Sequence, residues 1–196
     1  PFGTTGTITF GCLNNFCKVT DAVLDLWAQV LRSVPDSKLL LLAPVGAART
    51  RVKARLGMLC DRVEFAAYQP RCDYLELYHQ IDIGLDTFPY NGHTTSLDAL
   101  WMGVPVISRL GSTAVSRAGL SLMTNLGLPE LVAETNDQFV QIAMNLAKDR
   151  ERLATLRSGL RERMQQSPLM NAGRFAKNME DAYRLMWKNW SEKPRD

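Results

Sequence analysis

Side chains that could hold a negatively charged ligand stand together in LDTFPYNGHTTSLDALWMGVPVIS, where His93, Thr94, Thr95 and Asp98 lie between an apolar run and an apolar-periodic segment. The first turn of a helix carries unpaired backbone N–H groups and about half a positive charge, so phosphate binds there readily. Thr94 and Thr95 add hydroxyl donors, and the imidazole of His93 adds a further N–H donor. A carboxylate at Asp98 would repel phosphate but suits a pair of sugar hydroxyls. The set predicts a nucleotide site, with diphosphate at the helix start and ribose beside Asp98.

The same stretch also fits a helix that binds no ligand. The sequence TSLD, which begins at Thr95, matches a capping box, and Asn91-Gly92 is an ordinary turn sequence. In the ligand interpretation, Gly92 instead lets the backbone approach a bound group closely. The local pattern leaves both interpretations open.

The elements that must position these residues alternate between short apolar runs and helical patterns, which is typical of βαβ units in a parallel sheet. Strands are predicted at 7–13, 37–44, 62–68, 81–87 and 104–110, with a short edge strand at 130–135. Helices are predicted at 20–35, 47–58, 72–80, 95–103 and 112–126, and from 136 onward with a break near Ser167-Pro168. We therefore predict one α/β domain over 1–196, a Rossmann-like doubly wound parallel sheet with C-terminal helices at about 137–190.

Two further loops reach the carboxyl edge of that sheet, where ligands of such folds bind. NNFCKVT, which starts at Asn14, contains Lys18, a cation that could neutralise a diphosphate and stabilise a departing nucleotide. YQPRCDY contains Arg71 and Tyr74, whose planar groups could stack on a base. Each residue taken alone also fits an ordinary surface position. Three compatible loops at one edge carry more weight than any single one.

Composition excludes several classes of protein. The chain has 196 residues, of which 46% are hydrophobic and 22% charged, as in ordinary globular domains. No apolar run approaches the ~20 residues that span a bilayer, and the scattered basic residues with a net charge of +3 do not indicate a nucleic-acid surface. The absence of G-x-G-x-x-G and of a P-loop argues against dinucleotide dehydrogenases and P-loop ATPases.

Four cysteines occur without a C-x-x-C pair or a metal-ligand spacing, so we expect reduced thiols, no metal site and a cytoplasmic location. Asp82 and Asp86 flank a predicted strand and are assigned no catalytic role. The four tryptophans are expected to pack in the core or between helices. Because the chain opens Pro-Phe-Gly and enters a strand almost at once, we expect a piece of a longer protein.

Three segments carry a resemblance to a known family: NNFCKVT with LDLWAQVLRSVPDSKLLLL, DTFPYNGHTTSLDALWMGVPVI, and SPLMNAGRFAKNMEDAYRLMW. Together they resemble the C-terminal half of the catalytic region of O-linked N-acetylglucosamine transferases in their bacterial form. The resemblance covers nearly the whole chain.

The resemblance implies an inverting glycosyltransferase of the GT-B fold, in which two Rossmann-like domains face a cleft. It implies UDP-GlcNAc as donor and a Ser or Thr hydroxyl of a protein as acceptor. The chain has no Asp-x-Asp motif ahead of a carboxyl-end loop, so we also expect UDP to bind without a metal or other cofactor. The implied partners are UDP-GlcNAc or UDP, the acceptor protein, and the N-terminal catalytic domain and tetratricopeptide repeats of the same parent chain, with no nucleic acid and no membrane. The isolated chain, which would supply the donor-binding half, is expected to be inactive.

The resemblance also implies roles for individual residues. Lys18 would contact the diphosphate and stabilise it as the leaving group. His93, Thr94 and Thr95 would hold the phosphates at the helix start, and Asp98 would bind ribose hydroxyls.

Other implied donor-binding residues depart in part from the animal enzymes. Asn15 stands where those enzymes have Gln and would contact a phosphate. Gln69, Pro70 and Arg71 would flank the uracil, with Gln69 using backbone groups and Arg71 replacing a Lys. Tyr74 replaces a base-stacking His and keeps a ring there.

Two other functions remain open. One is a GT-B transferase that uses a UDP-sugar on a lipid or small-molecule acceptor. The other is a non-catalytic nucleotide-binding or scaffolding module, against which the intact Lys18, His93 and Asp98 argue.

Overall fold

The strands form one parallel sheet in a computed structural model that describes residues 2–192. Within that range the sheet has six strands in the order β3-β2-β1-β4-β5-β6. In chain order, β1 to β6 are Thr9–Cys12, Lys38–Leu42, Val63–Ala66, Ile83–Leu85, Val106–Arg109 and Val132–Ala133. The strand order reverses between β1 and β4, where Phe10 pairs with Leu39 on one side and Ile83 on the other. The doubly wound parallel sheet is therefore confirmed, and its switch point lies beside β1.

Helices α1 to α9 cover the two faces of the sheet and continue beyond it. Their bounds are Phe2–Thr5, Asp21–Ser33, Ala47–Leu56, Arg71–Glu76, Thr94–Trp101, Ala118–Asn125, Asn136–Lys148, Arg150–Gln166 and Ala172–Ser191. Short 3₁₀ turns occur at Phe16–Lys18, Gly57–Arg62, Leu77–Gln80, Ala114–Ser116, Pro129–Leu131 and Pro168–Met170. Each predicted strand and helix has a counterpart, although α1 was not predicted.

Local signals explain where the elements begin and stop. The Thr20 hydroxyl accepts a hydrogen bond from the Val23 backbone N–H at 3.3 Å and so starts α2, as predicted. The predicted helix at 112–126 is divided, because the Thr113 and Ser116 side chains form a reciprocal cap around a 3₁₀ turn ahead of α6. The predicted break at Ser167-Pro168 is confirmed by the turn that separates α8 from α9.

The tryptophans do not share one environment. Trp27 is fully buried among the core side chains of α2, as expected, and Trp101 is half-buried under the Arg161 guanidinium. The expectation was wrong for Trp187 and Trp190, two residues of α9 that are 67% and 59% exposed. Their spacing places them on the apolar face of an amphipathic helix, but no other part of residues 2–192 buries that face.

Among residues 2–192, no helix is long and apolar enough to cross a membrane.

Candidate functional site

A cavity of about 500 Å³ opens at the carboxyl edge of the sheet, a volume typical of small-molecule sites. Parallel pairing brings the loops after β1, β2 and β3 to this edge, where they meet the start of α5. The cavity is lined by seven of the ten predicted site residues: Asn15, Gln69, Arg71, Tyr74, Thr94, Thr95 and Asp98. The fold therefore collects side chains that are up to 83 positions apart in the chain, Asn15 and Asp98 being the extremes.

The start of α5 has no side-chain cap. The helix begins at Thr94 with His93 as its N-cap residue, and no capping hydrogen bond from that side chain is formed. The Thr95 hydroxyl donates instead to the Asn14 side-chain oxygen, and the Asp98 carboxylate accepts hydrogen bonds from Arg71 and Tyr74 of α4. The capping-box interpretation was therefore wrong. The first turn of α5 keeps the N–H groups and partial positive charge that suit an anion.

Asp98 is the centre of a polar cluster on one wall of the cavity. Its carboxylate oxygens accept hydrogen bonds from the Arg71 guanidinium at 2.7 and 2.6 Å, and from the Tyr74 hydroxyl at 3.3 Å. The Tyr78 hydroxyl lies 2.7 Å from that of Tyr74 and donates to the Thr95 carbonyl at 3.0 Å. The ion pair raises the pKa of Arg71, and burial raises the pKa of Tyr74 to about 12. The wall thus presents a charged pair and a neutral phenol at neutral pH.

Lys18 and His93 do not line the cavity and instead lie beside the ring of Tyr90. The Lys18 ammonium donates to the Asn91 carbonyl at 3.0 Å and lies 4.1 Å from the centre of the Tyr90 ring. The His93 ring centre is 5.7 Å from that of Tyr90. Both predicted basic groups are therefore brought to the loop that leads into Thr94.

Asn15 and Pro70 have structural roles in addition to their predicted ones. The Asn15 side chain accepts from the Cys17 backbone N–H at 3.1 Å and caps the 3₁₀ turn that carries Lys18. Pro70 is the N-cap residue of α4, outside the cavity lining, whereas Gln69 lines it. Their contacts with a nucleotide stay predictions.

Asp86 is a buried residue whose importance the sequence did not reveal. Its carboxylate accepts hydrogen bonds from the backbone N–H groups of Gly92 and Thr87 at 2.6 and 2.8 Å, from the Asn14 amide at 3.2 Å, and from the Ser108 hydroxyl. Burial raises the pKa of Asp86 to about 6, although these hydrogen bonds oppose the rise. One carboxylate therefore ties the ends of β1, β4 and β5 together beneath the start of α5.

The Asn91-Gly92 pair is likewise more than a turn. The Asn91 side chain is buried, donates to the Thr87 carbonyl at 2.9 Å and accepts from the Gly119 N–H at 3.3 Å. A Cβ atom added at Gly92 would come within 2.4 Å of the Ser96 hydroxyl oxygen. The groups that approach the Gly92 backbone closely are therefore side chains of the protein itself.

The arrangement of possible metal ligands and the state of the Cys12 thiol limit the chemistry available to the described residues. Over the described range 2–192, no three His, Cys, Asp or Glu side chains come close enough together to hold a metal ion. Cys12 is buried, and burial raises the pKa of its thiol to about 12, so the neutral form dominates near neutral pH.

Comparison with known proteins identifies the family. The model of glycosyl transferase family 41 matches residues 4–179. The chain belongs to that family. It is 39% identical, over 98% of its length, to the "probable UDP-N-acetylglucosamine–peptide N-acetylglucosaminyltransferase SPINDLY" of Petunia hybrida, and spans 21% of that relative. It is 31% identical over 93% of its length to the UDP-N-acetylglucosamine–peptide N-acetylglucosaminyltransferase of Caenorhabditis elegans, of which it spans 16%.

Solved structures place the family 41 chain among glycosyltransferases of the GT-B fold. A mutant of the Thermobaculum terrenum O-GlcNAc transferase superposes with a TM-score of 0.86 at 40% identity, over 94% of this chain and 36% of that one. WaaG, a glycosyltransferase of lipopolysaccharide biosynthesis, matches with a TM-score of 0.64 at 14% identity, over 91% of this chain and 49% of that one, and supports the fold alone. The resemblance to bacterial O-GlcNAc transferases is confirmed.

Proposed function

We propose that this chain is the donor-binding half of an inverting glycosyltransferase that moves N-acetylglucosamine from UDP-GlcNAc to Ser or Thr hydroxyls of proteins. The observation that carries the proposal is the cavity at the carboxyl edge, where the uncapped start of α5 meets the Asp98 cluster. The chain spans 21% of its plant relative, so the activity is that of a longer parent protein.

The contacts around the cavity support one placement of the nucleotide. The diphosphate lies at the first turn of α5, within reach of Thr94, Thr95 and the Lys18 ammonium. The ribose hydroxyls meet the carboxylate of Asp98. The uracil lies against the loop at 69–71 and the ring of Tyr74, which forms the adjoining wall.

The proposed reaction is a single displacement. The acceptor hydroxyl attacks the anomeric carbon from the face opposite UDP, the bond from that carbon to the phosphate oxygen breaks, and UDP leaves with the electron pair. Negative charge therefore grows on the diphosphate in the transition state, where Lys18 and the positive end of α5 stabilise it. The group that takes the proton of the acceptor belongs to the other half of the cleft.

The exposed face of α9 supports a partner domain within the parent chain. Its large apolar side chains are more than a third exposed, and they recur at helical spacing: Phe175, Met179, Tyr183, Met186 and Trp190. A face of that kind is expected to pack against other protein. We assign it to the missing part of the parent, which would include the N-terminal catalytic domain and the tetratricopeptide repeats, in a cytoplasmic protein.

Lipid or small-molecule acceptors are not favoured, since the names of both relatives specify peptide acceptors. The test is to incubate the full-length parent with UDP-GlcNAc and Ser/Thr-rich peptides. Mass spectrometry should find N-acetylhexosamine on Ser or Thr, and less of it with the Lys18→Ala variant. If UDP-GlcNAc were consumed in the presence of a lipid fraction but not in the presence of any of the peptides, the proposal of a protein acceptor would be wrong. If the parent binds UDP but transfers the sugar to no acceptor, the result would favour a non-catalytic nucleotide-binding module.

A further inference from the structure

Tyr90 lies close to both basic residues of the proposed diphosphate site, Lys18 and His93. The Lys18 ammonium is 4.1 Å from the centre of its ring, and the His93 ring is 5.7 Å away with an angle of 33° between the two planes. Tyr90 is 44% exposed, so core packing does not account for the position of its ring.

The backbone beneath the ring is held in place. The Thr87 hydroxyl donates to the Tyr90 carbonyl at 2.6 Å, and the Asn91 N–H donates to the Val115 carbonyl at 3.0 Å. The next residue, Gly92, is bound by the buried Asp86 carboxylate at 2.6 Å. The ring therefore projects from an ordered segment that is fixed on both sides.

The contact constrains a long and otherwise mobile side chain. An ammonium within about 6 Å of the centre of an aromatic ring is attracted to its negative face. The Lys18 ammonium has three N–H donors, one of which goes to the Asn91 carbonyl at 3.0 Å. The ring face attracts the positive charge of the ammonium without a conventional hydrogen bond. The ammonium is therefore held in place while N–H donors remain for a phosphate.

We propose that Tyr90 is a positioning residue for Lys18, whose ammonium it holds beside the start of α5. The proposal rests on the proposed function for its effect on catalysis. Tyr90 acts through Lys18, so its ring matters in the step in which charge grows on the departing diphosphate. Its phenolic hydroxyl is not required.

Kinetics of the full-length parent test this role, with UDP-GlcNAc varied at saturating acceptor peptide. Tyr90→Phe keeps the ring face and should retain kcat within about twofold. Tyr90→Leu keeps apolar bulk without the ring face, and kcat should fall about fivefold with a smaller change in KM, the size expected for one exposed cation–π contact. In the Lys18→Ala background, Tyr90→Leu should cause no further fall. A full fivefold fall in that background would show independent action and overturn the proposal.

Nuclear magnetic resonance of this chain, labelled with ¹³C-lysine, tests the placement without any transfer reaction. The ring current of Tyr90 should shift the ε-methylene protons of Lys18 upfield. Tyr90→Leu should remove the shift, and Tyr90→Phe should keep it; Tyr90→Met repeats the comparison if the leucine variant does not fold. An unchanged Lys18 signal in the ringless variants would overturn the placement. If the wild-type parent transfers no sugar, the proposed function is wrong. The Lys18 proton shift still shows, independently of that result, whether the Lys18–Tyr90 contact exists.

Discussion

The Arg71 guanidinium donates one hydrogen bond to each carboxylate oxygen of Asp98, at 2.7 and 2.6 Å. The two ends of this pair differ in exposure, since the Asp98 side chain is 11% exposed and that of Arg71 is 61% exposed. An ionised carboxylate has about four lone-pair sites, of which the guanidinium uses two and the Tyr74 hydroxyl, at 3.3 Å, a third, so one remains for a ribose hydroxyl. The pair therefore orients the carboxylate toward the cavity, and water screens the exposed partner.

Replacement of Asp98 by Ala should weaken nucleotide binding through the ribose. The loss of hydrogen bonds to a charged acceptor raises the Kd for UDP by roughly tenfold or more. Calorimetry with UDP and 2′,3′-dideoxy-UDP measures the effect. Wild type should prefer UDP, and Asp98→Ala should bind both ligands alike. Arg71→Ala should keep the preference for UDP; if it lost that preference as fully as Asp98→Ala, the ribose role of Asp98 would be wrong.

Asp86 should give the stability a distinct pH dependence. Burial raises its pKa from the ordinary aspartate value of 3.8 to about 6. Between these two values the folded state binds more protons than the unfolded state, so the stabilising contribution is largest below pH 4 and is lost as pH rises through 6. The free energy of unfolding of wild type, relative to Asp86→Asn, should fall by about 3 kcal/mol over this window. Urea titrations from pH 4 to 7 measure it, and a constant difference would contradict the assignment.

The fold was largely predictable because its signals are local. The continuous run of leucines in β2 and the threonine cap of α2 depend on neighbours within a few positions. The roles of Asp86 and Asn91 were not predictable, because Asp86 bonds to Asn14 and Ser108, which are 72 and 22 positions away. For Trp187, helical periodicity identified the apolar face, but periodicity does not say what covers such a face.

Gly92→Ala should disturb the start of α5. The added Cβ would come within 2.4 Å of the Ser96 hydroxyl oxygen and 2.9 Å of the Asn14 side-chain oxygen. We expect a loss of about 1–3 kcal/mol in the free energy of unfolding and weaker UDP binding. Gly159→Ala in α8 is the matched control, since no atom lies within 4 Å of its added Cβ, and it should be neutral or stabilising by up to about 1 kcal/mol. Equal effects of the two changes on UDP affinity would contradict this account.

Binding of UDP by the full-length parent should not require a metal ion. We expect Lys18 and the positive end of α5 to neutralise the charge of the diphosphate. Calorimetric titrations with UDP in EDTA and in Mg²⁺ should give the same Kd within about twofold. Loss of binding in EDTA, restored by Mg²⁺, would contradict the prediction.

The central claim is that Lys18 stabilises UDP as it departs, and steady-state kinetics of Lys18→Ala in the full-length parent test it most directly. The lost interaction is stronger in the transition state than in the ground state, so kcat should fall about a hundredfold, or about 3 kcal/mol, with UDP-GlcNAc varied. Lys38→Ala is the matched control, because Lys38 pairs with Glu64 on exposed positions of β2 and β3. It should retain wild-type kinetics. A Lys18→Ala enzyme that kept kcat and lost only donor affinity would contradict the claim.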